Sequence, residues 1–245
     1  MVCHQYNCIF VHIPKCAGQS VEKAFLDAVG LTWATRAPLL LRHNDRPELG
    51  PPRLAHLTAG EYVAHKYISP QQFADYFKFA IVRNPWDRMV SFYKYLGFYR
   101  SATFKQFLSD YFMRQLWTNK YWFVRPQCEF IYDQRDECLV DYVGRFELLS
   151  AAMDYVGEGV GLQNVSLSKA NKSYRKYHRP TSGLGDLYRY VMVRYIRRKT
   201  MTDDYRSYYD EESILRVANL YKRDIEMFGY EFDPRRRDVR IEGRK

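Results

Sequence analysis

The segment Cys8-Ile-Phe-Val-His-Ile13-Pro-Lys-Cys-Ala-Gly-Gln-Ser20 decides the reading of this chain. Cys8 to Ile13 is a short run of β-branched and aromatic residues, which fits a buried strand. Pro14 ends it, having no amide hydrogen to give a sheet. Ser20 is placed to cap a helix whose apolar face runs through Val21, Ala24, Phe25 and Ala28, with Gly30 as its stop. A strand, a short loop and a helix in that order bring the amides from Ala17 to Ser20 together at a helix N-terminus. Such an end carries roughly half a positive charge and several unpaired donors, so it receives anions. Lys15 adds a mobile charge and Ser20 a hydroxyl. The loop pattern G-x-x-x-x-G-K-[ST] is absent, because only Gly18 is present and the lysine precedes it.

The arrangement recurs downstream. Phe77-Lys-Phe-Ala-Ile-Val82 reads as a second strand, Arg83-Asn-Pro85 breaks it, and a helix is expected from about Trp86 to Leu96. Arg83 leaves the strand at its carboxyl end with a planar fork of donors suited to a phosphate. Ser91 lies two turns into the helix, Asp87 suits its first turn, and Arg88 is expected to pair with Asp87 or a carbonyl. Two such loops suggest a ligand with two separate phosphate-like groups.

Val140 to Phe146 is a third strand candidate. Thr58-Ala-Gly-Glu61 and Ser69-Pro-Gln-Gln72 have capping-box spacing and open two short helices. Further helices are expected near 147–156, 184–199 and 211–228, the last closed by Gly229. Residues 31–55 read as a long loop, and 97–130 as a variable region with no decodable pattern. Strands alternating with helices give an α/β fold, a central mainly parallel sheet flanked by helices. Ligands bind such sheets outside the carboxyl ends of the strands, where the loops after Ile13 and Val82 lie.

The 245 residues carry a formal net charge of +10, with ordinary hydrophobic and charged fractions of 47% and 27%. Disordered and collagen-like sequence is excluded. Residues 1–120 hold 15 basic and 8 acidic side chains, and 121–245 hold 23 and 20. The conspicuous clusters Arg194 to Lys199 and Pro234 to Lys245 thus lie in the less positive half and read as a helix end and a solvated tail. Five scattered cysteines point to a reducing compartment, and the Cys8–Ile13 run is too short for a signal peptide or membrane span, so a cytoplasmic location is expected. No metal-ligand spacing occurs. His12 is expected to point into the core or at a neighbouring carbonyl, and His65 to lie on the surface.

The pair HIPKCAGQS and VRNPWDRMVSFY resembles the two cofactor motifs of sulfotransferases that use 3′-phosphoadenosine 5′-phosphosulfate (PAPS). The likeness is nearest the carbohydrate branch, family 2, which holds uronyl 2-O- and chondroitin 4-O-sulfotransferases and bacterial-type members. It extends to Val143-Gly-Arg-Phe-Glu147, Asn171-Lys-Ser173, Tyr208-Tyr-Asp210 and Asp224 to Phe232. It implies a P-loop-like nucleotide-binding fold, with 1–233 as a single sulfotransferase domain and 234–245 as a basic tail. It further implies direct in-line transfer of a sulfuryl group to a hydroxyl of an anionic or neutral glycan, leaving 3′,5′-bisphosphate (PAP), with no metal and no nucleic acid.

The resemblance assigns the 5′-phosphosulfate to Lys15, Cys16, Ala17, Gly18, Gln19 and Ser20, with Lys15 on the bridging oxygen as it breaks. Gln19 stands where relatives often carry Thr. Arg83 and Ser91 fall to the 3′-phosphate, with Lys172 and Ser173 reaching it from a late loop. His56, in Leu54-Ala-His-Leu-Thr58, matches a catalytic histidine and is the expected base, with Glu61 the rival. Trp86, Tyr174 and Tyr177 are candidate stacking residues, and Arg125, Gln127 and Arg175 candidate acceptor contacts. Two other readings stay open: an ATP-dependent kinase with two anion loops, and a basic nucleic-acid-binding protein using the Arg-rich tail.

Overall fold

The computed structural model describes residues 1–162 and 204–233. They divide into two compact units, 1–83 with 120–162 and 84–119 with 204–233.

The first unit is built on a four-stranded sheet, in the order β1 (Val2–Cys3), β2 (Cys8–Val11), β3 (Phe77–Val82) and β4 (Tyr142–Arg145). β2, β3 and β4 run parallel, with Phe10 opposite Phe79 and Ile81 opposite Gly144. β1 pairs antiparallel to β2 and was not foreseen, since two residues carry no periodicity. β2 is buried throughout and β3 beyond Phe77, which is why both read as continuous apolar runs. Lys78, the charged residue inside β3, forms an ion pair with Asp141 at 2.9 Å.

Helices α1 (Gly18–Ala28), α2 (Ala59–Ala64) and α3 (Pro70–Asp75) lie between β2 and β3 in sequence. α1 sets Phe25 against Phe79 with ring centres 6.0 Å apart, and α2 sends the Tyr62 hydroxyl to the Phe10 carbonyl at 3.2 Å. The chain then passes through α4 (Pro85–Tyr95) and α5 (Phe104–Gln106), which runs on into a π-helical segment, Phe107–Trp117. It returns to the first unit with α6 (Tyr121–Val124), α7 (Cys128–Ile131), β4 and α8 (Leu149–Val160). α8 lies so close to the sheet that a Cβ on Gly144 would stand 2.8 Å from that of Ala152. The result is an α/β fold, a mostly parallel sheet flanked by helices.

In the second unit, the Asn84 side chain caps α4 by accepting the Trp86 amide at 3.0 Å. Trp86 is buried, donates to the Ile214 carbonyl at 3.0 Å and meets Phe232 edge-on. It is therefore a packing residue, which removes it as a stacking surface for a nucleotide or sugar. Arg88 is fully buried with its guanidinium against Phe92 and Tyr221. Residues 97–130, expected as variable loops, are largely helical, and Phe104, Phe107 and Phe112 join Tyr93 in the core. The expected helix 211–228 is interrupted at Tyr221, between α9 (Glu211–Leu220) and α10 (Lys222–Phe228). The helix expected at 184–199 and the basic tail lie outside the described residues. No helix among the described residues is long and apolar enough to cross a membrane.

Candidate active site

The loop after β2 is wound through two left-handed residues, Lys15 at φ 71° and Ala17 at φ 61°. Such conformations are costly without glycine and are held where the surroundings enforce them. Helix α1 starts at Gly18, two residues before the expected Ser20 cap, and Ala17 occupies the cap position. Ser20 instead sits in the first turn, its amide bonded to the Ala17 carbonyl at 2.8 Å. Ala17 has no side-chain oxygen to cap this helix end. Gln19 is exposed, Lys15 and Ser20 partly so.

Gly18 is dictated by His12. A Cβ at Gly18 would stand 1.8 Å from Nε2 of His12, whose ring lies directly against the helix start. Nδ1 of the same ring meets the Glu22 carboxylate at 2.6 Å, both groups buried. Glu22, the acidic residue of α1 nearest this loop, is thereby held inside the fold by His12.

Arg83 closes the other side. Its Nη1 donates to the Lys15 carbonyl at 3.1 Å, and its guanidinium lies 4.0 Å from the centre of the Phe146 ring. Burial, and then the neighbouring Arg83 charge, push the Lys15 ammonium down to about 7. Behind both loops stands Gln127, fully buried. Its Oε1 accepts the Arg83 amide at 2.8 Å and the Cys16 thiol at 3.2 Å, while Nε2 donates to the Arg83 carbonyl at 2.8 Å. Gln127 is thus no acceptor contact; it stitches the loops from within. Its partners lie 44 and 111 residues away, and no local pattern announces it.

His56 ends a short 3₁₀ turn, Leu54–His56. Its Nδ1 lies 2.9 Å from the carbonyl oxygen of His12, the residue whose ring supports Gly18. The ring is buried edge-on to His12 at 4.4 Å between centres, with Trp122 and Phe123 beside it. Burial, and then His12, hold its pKa well below the ordinary imidazole value. A carbonyl only accepts, so the neutral ring carries its hydrogen on Nδ1 and leaves a lone pair on Nε2.

The sequence thus places Lys15, Arg83 and His56 on neighbouring strand ends and turns of one unit, and a family model described as the sulfotransferase family matches residues 1–231. The chain belongs to the sulfotransferase family. Neither the curated proteins nor the solved structures give a match to it.

Within this sulfotransferase, Glu61 is occupied as the sequence suggested, accepting the Thr58 amide at 2.8 Å at the start of α2. Ser91 is partly buried on α4, in the second unit. Arg125 packs against the Tyr121 and Phe130 rings, and His65 is partly buried beside Tyr67. Lys172, Ser173, Tyr174, Arg175 and Tyr177 lie outside the described residues. Trp122, which the sequence did not single out, is a partly buried aromatic beside the expected base, with ring centres 5.8 Å apart.

Proposed function

We propose that this sulfotransferase uses PAPS as donor and sulfates a hydroxyl group of a carbohydrate acceptor by direct in-line transfer. Sulfuryl transfer in general follows from the family; the donor and acceptor are the proposal. The observation that carries it is the junction of the two loops, where Arg83 binds the backbone of Lys15 beside the N-terminus of α1.

The donor set suits a doubly anionic ligand. Two cations and a helix N-terminus converge, and the nearby carboxylate of Glu22 is spent on His12. Lys15 and the loop Cys16, Ala17, Gly18, Gln19 and Ser20 would hold the 5′-phosphosulfate. Arg83 would hold the 3′-phosphate, with Ser91, Lys172 and Ser173 assigned to it by the family resemblance. When bound, PAPS supplies a sulfuryl group already activated by its link to phosphate.

His56 is the base of this reading. Its Nδ1 hydrogen is committed to the His12 carbonyl, so Nε2 is the atom that takes the acceptor's proton. Burial keeps the ring neutral, hence competent, near pH 7. Lys15 places an ammonium where negative charge develops on the leaving group, and an anion there restores the protonated form that burial and Arg83 disfavour. The test is incubation with labelled PAPS and a panel of acidic and neutral glycans, read by mass spectrometry. A sulfated glycan is expected; sulfation only of non-carbohydrate hydroxyls would overturn the acceptor class, and no PAPS consumption with any acceptor would overturn the donor.

A further inference from the structure

We propose that Gln127 is a positioning residue that fuses the two anion loops into one donor site, so that the enzyme selects nucleotides carrying two separated anionic groups over those carrying one. The inference rests on the donor reading above.

The geometry is specific. Gln127 sits between α6 and α7 with its amide fully buried, so each polar atom there must be satisfied by protein. Its Oε1 receives hydrogens from both loops, the Arg83 amide and the Cys16 thiol, and its Nε2 returns a hydrogen to the Arg83 carbonyl. Both peptide groups flanking the Arg83 Cα are therefore fixed by one side chain, which sets the direction in which the guanidinium leaves β3. Cys16 is fixed between Lys15 and Ala17, the two residues held at positive φ. Arg83 closes the circuit by donating to the Lys15 carbonyl at 3.1 Å. The loops thus form a ring of contacts, Gln127 to Cys16, on to Lys15, across to Arg83 and back to Gln127. A change in the spacing of the loops must break one of these bonds. Ligands with both groups at the matching distance profit from both loops without reorganising either; ligands with one group use half of the site.

The segment that carries Gln127 also supplies Trp122 and Phe123 to the His56 ring. One stretch of chain, residues 122–127, therefore touches both donor loops and the expected base.

The test compares PAP with 5′-AMP, which differ by the 3′-phosphate alone, by calorimetry on the full chain. The wild type is expected to bind PAP far more tightly than 5′-AMP. Gln127→Met removes the bonds to Arg83 and Cys16 at similar volume. Gln127→Glu keeps an acceptor for the Arg83 amide but sets a carboxylate against its carbonyl. In both, PAP affinity should fall about 10- to 100-fold, with 5′-AMP affinity changing by less than about threefold, so that the preference collapses. Folding is checked by thermal melting, and Gln127→Glu serves if Gln127→Met does not fold. Equal weakening of both ligands, or an unchanged PAP preference in a folded variant, would overturn the inference. Failure of the wild type to bind PAP would instead overturn the donor reading on which it rests.

Discussion

Nδ1 of His56 lies 2.9 Å from the main-chain oxygen of His12, whose own ring fills the space in front of Gly18. The expected base and the anion loop are therefore fixed to one residue at the end of β2. Displacing His12 from the loop side should be felt at the base.

His56→Ala should lower turnover about 10²- to 10⁴-fold while leaving PAP affinity close to that of the wild type. Glu61→Gln preserves the α2 capping box, since Gln also accepts from the Thr58 amide. It should keep both stability and turnover. Steady-state kinetics on the two variants separate the candidates: a dead Glu61→Gln enzyme with an active His56→Ala enzyme would transfer the role to Glu61.

Gly18→Ala tests the support of the loop. The added methyl would collide with the His12 ring at 1.8 Å from Nε2, and that ring is pinned by Glu22. Destabilisation of about 1–3 kcal/mol is expected from overpacking, measured by urea unfolding. Because His12 also anchors His56, the turnover of the folded fraction should fall as well.

If Lys15 holds the donor as proposed, PAP binding should depend on pH. In the free protein its pKa stands at about 7, lowered by burial and by Arg83. A bound anion favours the ammonium and raises that value, so binding takes up a proton above pH 7. Affinity should then decline from pH 7 to 9 with a slope approaching one proton, measured by calorimetry across that range. Lys15→Arg stays charged throughout and should flatten the profile.

Much of the frame was legible before the structure. Phe77–Val82 appears with the expected limits because a parallel strand buried on both faces is an unbroken apolar run bounded by a Pro-containing break. Ser69 and Gln72 exchange the hydrogen bonds of a capping box at 3.1 and 3.0 Å, since that motif is local. What failed was non-local or conformational. Ala17 at φ 61° opens α1 although its side chain signals nothing, so the start fell wrongly on Ser20. The helical turns within 97–130 are held by aromatic packing rather than by an evident period. Gln127 draws its meaning from partners 44 and 111 residues away, and looked like any polar loop residue.

The central claim, that two joined loops receive a nucleotide carrying separate 5′ and 3′ anions, is tested most directly by titrating the full chain with PAP and with ATP-Mg. The expected result is tight PAP binding, weak ATP-Mg binding, and loss of PAP binding in both Lys15→Ala and Arg83→Ala. A preference for ATP-Mg, or PAP binding undiminished in those two variants, would contradict it.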